Sequence, residues 1–468
     1  MTAASVRRVC CIGAGYVGGP TSAVMALKCP GIQFTVVDSD AGRIAAWNSA
    51  AALPIYEPGL DEVVRSQRGR NLWFSTDIDA AVAAADIVLL AVNTPLGPRG
   101  AGLGGATDLS AIEQCARTVA RVARRPTIVV EKSTVPCGTG ELIAGILRRD
   151  GRPGVGFSVL SNPEFLSEGT AVRDLLRPDR VIIGGLDGSE DAQRALASVY
   201  AHWVPQERIV TMGLWSAELA KLAANALLAQ RVSSINSISA VCEAVGADIA
   251  DVSRACGMDS RIGGRFLHAS VGFGGSCFHK DIMGLVWLAE SLGLHDVAEY
   301  WDQVLQMNSS QTARFVARIA RAVGCDLDAG AEVAVLGFAY KAGTGDTRNT
   351  PAAPVCERLL AQGARLAIYD PKVPARQIRD ALPAESHYHH RVRICSDAYE
   401  AVAGARAVVL LTPWPEFATL DWARVHGLMA QPAYVFDGHR ALDAPALDRL
   451  GFRAVSVGVR TTHHPKLK

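Results

Sequence analysis

The sequence predicts an α/β chain: two doubly wound parallel sheets joined by a helical middle with one long helix. Three observations carry this. Short apolar runs alternate with amphipathic segments through the first 212 residues. Residues 216–245 then form one helical pattern with neither proline nor glycine. From Val333 the strand and helix alternation resumes. Such alternation is the mark of strands joined by crossover helices.

Taken in order, Val9–Gly13, Phe34–Asp38, Ile87–Asn93, Thr127–Glu131 and Ser158–Ser161 read as buried strands. Thr21–Lys28, Ala41–Asn48 and Leu109–Arg124 read as helices between them, and Arg180–Gly185 and Arg208–Thr211 close the first sheet. The helical middle holds Ser216 to about Gly246, then Ile249–Cys256, Ser276–Leu292 and Val297–Val323. The third part reads as strands Val333–Gly337, Arg365–Tyr369, Ala407–Leu411 and Tyr434–Asp437, with a helix at Pro354–Gln362. Domains are therefore expected at 1–212, 213–328 and 329–468.

Bulk properties exclude several classes. At 468 residues the chain exceeds one hydrophobic core. Its net charge of +1 offers no general attraction for nucleic acid or an anionic membrane. The 11 cysteines lack paired spacing, and no CxxC pair points to zinc, so no metal is expected. Adjacent Cys10 and Cys11 inside a strand suit buried thiols. The first strand starts within about six residues, too soon for a signal peptide. No apolar run nears the ~20 residues of a membrane helix. These features point to a reducing compartment, the cytoplasm.

Two motifs carry chemistry. Gly13-Ala14-Gly15-Tyr16-Val17-Gly18 follows a strand and opens a helix, and Asp38 ends the next strand 20 residues beyond Gly18. Strand, glycine turn, helix and acid together form a dinucleotide site: the turn admits pyrophosphate and the acid binds an adenosine ribose. Asp38 repels a 2′-phosphate and favours NAD, a preference that Arg43 softens. Further polar segments, Asn93-Thr94-Pro95, Glu131–Pro136 and Asn162–Leu166, sit at successive strand ends, where such sheets bind ligands. The second motif is Gly272-Phe273-Gly274-Gly275-Ser276-Cys277, which sets a thiol at a helix start, where the dipole favours a thiolate. Asp281, four residues on, shares its helical face. A buried inert cysteine is the commoner meaning of such a residue; the cofactor motif weighs against it.

Together these segments resemble the UDP-glucose/GDP-mannose dehydrogenase family, and most closely its animal and plant members. The likeness runs from Val9 to about Gly458 through CCIGAGYVGGPT, LPIYEPGL, EKSTVP, SNPEFL, KLAANALLAQR, SINSISA, ASVGFGGSC and GDTR. It implies two Rossmann-like domains, for NAD and for a UDP sugar, around a helical centre. It also implies four-electron oxidation of UDP-glucose to UDP-glucuronate, with two NAD reduced per turnover through a Cys277 thiohemiacetal and thioester.

By resemblance, Lys221 and Asp281 manage protons and oxyanions, and Asn225 joins Lys221 one turn along the long helix. Glu164 and Thr134 hold the hydrolytic water. Val92, Asn93, Thr94, Pro95, Ser133, Thr134, Glu168 and Arg348 serve NAD. The sugar nucleotide falls to Glu164, Phe165, Leu166, Glu168, Lys221, Asn225, Arg261, His268, Ser270, Phe273, Gly274, Tyr340, Lys341, His439 and Arg440. Arg261 is implied to reach a neighbouring subunit of a dimer or hexamer. His268 and His439 stand where relatives carry lysine and arginine, which removes permanent charge near a diphosphate; Arg440 is then expected to substitute. If His439 holds phosphate, KM for UDP-glucose rises as pH climbs from about 6 to 8. Two alternatives stay open: the same chemistry on GDP-mannose or UDP-N-acetylmannosamine, and a non-catalytic sensor of NAD and UDP sugars.

Overall fold

A computed structural model describes residues 6–97, 107–327, 329–382 and 390–460. The chain divides into two compact units, Met1–Ala224 with Met283–Ala298, and Asn225–Ile282 with Glu299–Lys468.

The first unit holds β1 (Arg8–Ile12), β2 (Gln33–Val37), β3 (Leu72–Ser75), β4 (Ile87–Leu90), β5 (Thr127–Glu131), β6 (Phe157–Ser161), β7 (Val181–Gly185) and β8 (Ile209–Gly213). Their order is β3-β2-β1-β4-β5-β6-β7-β8, so the winding reverses between β1 and β4. That is the switch point at which doubly wound sheets open a crevice. Helices cover both faces, so alternate residues of β1 enter different cores: Val9 and Cys11 one, Cys10 and Ile12 the other. Burial pushes the Cys11 thiol up to about 12 and Cys10 higher than its ordinary value, which leaves both inert.

Three features depart from the sequence expectation. The sheet is not wholly parallel, because β7 runs antiparallel to β6 through Leu160↔Gly185 and Ser161↔Gly184. The link from β6 to β7 carries only the short helix Ala171–Leu176. The edge strand β3 was also not anticipated: it is four residues long and leaves Trp73 exposed. β4 stops at Leu90 rather than Asn93, since the chain leaves the sheet there to line the crevice.

The second unit holds β9 (Glu332–Leu336), β10 (Arg365–Tyr369), β11 (Val392–Ile394), β12 (Ala407–Leu410), β13 (Tyr434–Asp437) and β14 (Arg453–Ser456). Every pair is parallel, in the order β11-β10-β9-β12-β13-β14. The short, half-buried β11 and β14 lack the apolar run that marks the inner strands.

The central helix spans Leu214–Val245 and belongs to the first unit up to Ala224 and to the second from Asn225. Helices Ile249–Met258, Phe278–Ser291 and His295–Val323 follow. Among the described residues, no helix is long and apolar enough to cross a membrane.

Candidate active site

In the first unit the glycine turn follows β1 directly. Gly13 adopts φ +110°, and a Cβ there would lie 2.4 Å from the Ala91 carbonyl oxygen. Only glycine fits where the turn passes the end of β4. Beyond it, Gly15 faces open space, as a phosphate cradle requires, while Tyr16, Val17 and Gly18 lead into the helix Gly18–Lys28. Asp38, one residue past β2, accepts from the Ala14 amide at 2.9 Å, the Asp40 amide at 3.0 Å and Arg43 Nη1 at 3.0 Å. Burial would raise this carboxyl, but those hydrogen bonds outweigh it and hold the group below its ordinary value. An open glycine turn beside an ionised acid fits a dinucleotide.

Loops after β4 and β5 are stitched together. Thr94 Oγ1 donates to the Thr134 carbonyl at 2.8 Å, and Ser133 Oγ donates to the Val92 carbonyl at 2.6 Å. Asn93 and Pro95 stay exposed on the same loop. After β6, Glu164 is buried, and its Oε1 meets Lys221 Nζ at 3.0 Å with both side chains about 5% exposed or less. Glu164 Oε2 accepts from the Leu166 amide at 2.7 Å. The Phe165 ring carries Arg180 on it at 3.7 Å and Lys221 at 5.3 Å. Glu168 is buried on the same loop.

Lys132 belongs to the polar segment at the end of β5, yet it is 4% exposed. Its Nζ donates to Asn162 Oδ1 at 3.2 Å and Tyr200 Oη at 3.4 Å, with no ion pair among the described residues. Burial drives its pKa from 10.5 down to about 8. The unfolded chain therefore binds more protons between those values, and stability from this group rises with pH across that window. Lys132→Met is expected to stabilise the protein at pH 7 by an amount on the order of 2–3 kcal/mol, a gain that vanishes towards pH 10. Thermal unfolding at the two pH values checks this; an equal or lower Tm at pH 7 would refute it.

In the second unit Cys277 immediately precedes the helix Phe278–Ser291, as the sequence predicted, and its carbonyl accepts from the Asp281 amide at 2.8 Å. Asp281 is buried: Asn225 Nδ2 donates to its Oδ2 at 2.6 Å, and Lys280 Nζ lies 3.1 Å from its Oδ1. The acid one turn from the thiol is thus held by Asn225 of the long helix, a partner that the spacing of the sequence did not give.

The glycine run is clamped by its backbone. The Ser270 amide donates to Asn236 Oδ1 at 2.8 Å and the Phe273 amide to Asn308 Oδ1 at 2.9 Å, while Gln311 Nε2 donates to the Ser270 carbonyl at 2.7 Å. A Cβ on Gly274 would lie 2.4 Å from the Asn349 carbonyl oxygen. Sequence reading missed Asn236, Asn308 and Gln311, because amides on a helix carry no signal until the loop they hold is known. A cleft of about 600 Å³ opens beside Phe273 and Gly274, lined also by His279, Asn308 and Arg348.

Lys341 Nζ lies 5.6 Å from the Tyr340 ring, and exposed Arg348 pairs with Asp346. Arg261 pairs with Asp259 two residues away, and its side chain is 87% exposed. His268 Nε2 lies 3.3 Å from the His439 carbonyl. His439 Nε2–H donates to the Leu411 carbonyl at 2.9 Å. Desolvation pushes its pKa down to about 4, so the ring stays neutral from pH 6 to 8. The expected rise of KM with pH therefore loses its driving group. Nor is Arg440 a ready substitute: Asp248 holds it at 2.9 Å, and the Val457 carbonyl accepts from it at 3.2 Å.

Three family models match in sequence along the chain. They are the NAD binding domain of the UDP-glucose/GDP-mannose dehydrogenase family at residues 7–204, its central domain at 215–310 and its UDP binding domain at 334–444. UDP-glucose 6-dehydrogenase 1 of Oryza sativa subsp. japonica is 54% identical over 467 residues, covering 96% of this chain and 97% of that one. The UDP-glucose 6-dehydrogenase of Drosophila melanogaster is 53% identical over 459 residues, covering 96% of each. Among solved structures, a UDP-glucose dehydrogenase from Pyrobaculum islandicum superposes with a TM-score of 0.83 at 32% identity, over 98% of both chains. With the glycine turn and Asp38 in one unit and the clamped cysteine loop in the other, the chain belongs to the UDP-glucose/GDP-mannose dehydrogenase family.

Proposed function

We propose that this protein oxidises the C6 alcohol of UDP-glucose to the carboxylate of UDP-glucuronate. The observation that carries the reading is Cys277 at a helix start, with the buried Asp281–Asn225 pair one turn on. The 53–54% identity to UDP-glucose 6-dehydrogenases over nearly the whole chain supports the choice of sugar nucleotide.

NAD, when bound, accepts one hydride at each of two oxidations. In the first, C6 loses a hydride and its hydroxyl a proton, leaving an aldehyde. The Cys277 thiolate adds to that carbon, and the oxyanion takes a proton to give a thiohemiacetal. A second hydride and the hydroxyl proton depart to leave a thioester. Water then adds, the C–S bond breaks, and carboxylate, thiol and proton are released. Covalent capture keeps the aldehyde from escaping between the oxidations.

Asp281 and Lys221 take the proton and oxyanion roles. Glu164 and Thr134 take the water. The buried contact to Lys221 Nζ at 3.0 Å suits Glu164 to this role, because it holds the carboxyl group in one place. Self-association is part of the reading: Arg261 extends into solvent, and the central helix leaves Leu227, Ile238, Val241 and Val245 exposed. The free cysteines fit a reducing cytoplasm.

Steady-state turnover tests the reading. Two NADH formed per UDP-glucose consumed is the expected result. One NADH would mean an aldehyde-forming enzyme. Turnover only with GDP-mannose or UDP-N-acetylmannosamine would displace the substrate, and binding of UDP-glucose without NADH formation would favour a sensor.

A further inference from the structure

Glu57 lies in the segment Leu53–Leu60, to which no cofactor, substrate or catalytic role was assigned above, and is only 5% exposed. A buried carboxylate needs partners, and three converge on it. Its Oε2 accepts from Tyr16 Oη at 2.9 Å and from the Gly169 amide at 2.7 Å. Its Oε1 accepts from the Ala171 amide at 2.5 Å. Its own carbonyl accepts from the Leu60 amide at 3.1 Å, which fixes it at the start of the helix Leu60–Gln67. The Tyr16 hydroxyl also lies 2.9 Å from the Tyr56 carbonyl oxygen, so it meets two oxygens of one dipeptide.

These partners belong to two different parts of the site. Tyr16 is the fourth residue of the turn that receives the dinucleotide. Gly169 follows Glu168 directly and ends the loop that begins at Glu164. That loop has a second restraint of its own: Asp174 Oδ2 accepts from the Ser167 amide at 3.1 Å and from Thr170 Oγ1 at 2.7 Å. Asp174 closes the loop on itself, whereas Glu57 ties it to the glycine turn. Bonds from neutral donors to a buried carboxylate are among the stronger hydrogen bonds, and one rigid group accepting on both oxygens fixes distance and direction together.

We propose that Glu57 is a positioning residue that locks the loop carrying Glu164 and Glu168 to the dinucleotide turn through Tyr16. The proposal rests on the oxidation described above for its kinetic consequence, but the lock itself is independent of substrate. Glu57 touches no reacting atom. It sets where Glu164 stands relative to the cofactor turn, and displacement of that carboxylate lowers the rate without removing any catalytic group.

Two variants of the full-length protein test this, Glu57→Gln and Tyr16→Phe. Glu57→Gln replaces one acceptor oxygen with a donor, so one of the amide bonds is lost. Tyr16→Phe removes only the hydroxyl and leaves both amide bonds. Amide hydrogen exchange over residues 164–171 is measured without cofactor, alongside NADH binding by fluorescence and kcat at saturating substrates. Glu57→Gln is expected to speed exchange in that segment and to lower kcat by about tenfold or more, with NADH affinity changed by less than about threefold. Tyr16→Phe is expected to change exchange and kcat in the same direction by a smaller factor.

A merely structural role would lower Tm while kcat per folded molecule stayed constant, and that result overturns the proposal. So does loss of NADH affinity alone, which would confine Glu57 to shaping the cofactor turn. Unchanged exchange over 164–171 in both variants overturns it as well. If Glu57→Gln does not fold, Tyr16→Phe decides by the same readings. If the wild type fails to oxidise UDP-glucose, exchange still reports on the lock, so the two readings fail separately.

Discussion

Cys277→Ser is expected to abolish formation of the acid, with a loss of at least ~10³-fold in the second oxidation, as nucleophile removals do elsewhere. The substitution exchanges sulfur for a smaller oxygen at a half-buried position beside Ser276. It leaves the backbone bond from the Asp281 amide to the residue-277 carbonyl in place, so the helix start should survive. Serine has no low-pKa anion to offer at this position, and a helix dipole worth less than about 1–2 kcal/mol cannot create one. NADH binding and thermal stability should match wild type. The measurement is NADH yield per UDP-glucose together with product analysis. Unchanged NADH formation would mean that the thiol is not the nucleophile.

The second large effect concerns the buried pair Lys221–Glu164. Lys221→Ala leaves the Glu164 carboxylate 5% exposed with its 3.0 Å partner gone. Breaking such a pair on one side costs about 3–5 kcal/mol. Both Tm and kcat should fall, the latter by about 10²–10³-fold, since proton handling and oxyanion support are lost together. The double variant Lys221→Met with Glu164→Gln separates the two losses. With both charges removed, the site should recover most of its stability and none of its rate. If Lys221→Ala unfolds no more easily than wild type, the pair is not a buried ion pair in solution. If the double variant recovers rate with stability, the pair serves only the fold.

Cys277 and Lys221 differ in how visible they are in the sequence. The glycine run announces the cysteine locally, because three glycines before a helix have few other uses. Lys221 is one lysine on a 32-residue helix; without the family resemblance it reads as a solvated charge. Its burial is decided by Glu164, 57 positions earlier. The same holds for Lys132, whose pairing with Asn162 and Tyr200 follows from the adjacency of β5 and β6.

His439 shows the reverse case. Its place in Asp437-Gly438-His439-Arg440 suggested a titrating stand-in for a phosphate-binding arginine. The structure turns the ring onto the Leu411 carbonyl and desolvates it, while Arg440 is committed to Asp248. Local spacing could not reveal either commitment, since both partners lie far away in the chain.

By itself the sequence determined the two doubly wound sheets, the long central helix, the dinucleotide turn with its acid, and the thiol at a helix start. Each of these is written in local periodicity or in a short motif, and each is set by contacts within about one turn or one strand. The tertiary structure alone decided the antiparallel β6–β7 junction, the burial of Lys132, the Asn236, Asn308 and Gln311 clamps on the cysteine loop, and the Glu57 tie between Tyr16 and Gly169. These depend on which distant groups are brought within hydrogen-bond reach of a site sealed from water. Only packing determines that, because an unpaired polar group costs little in solution and several times more once buried.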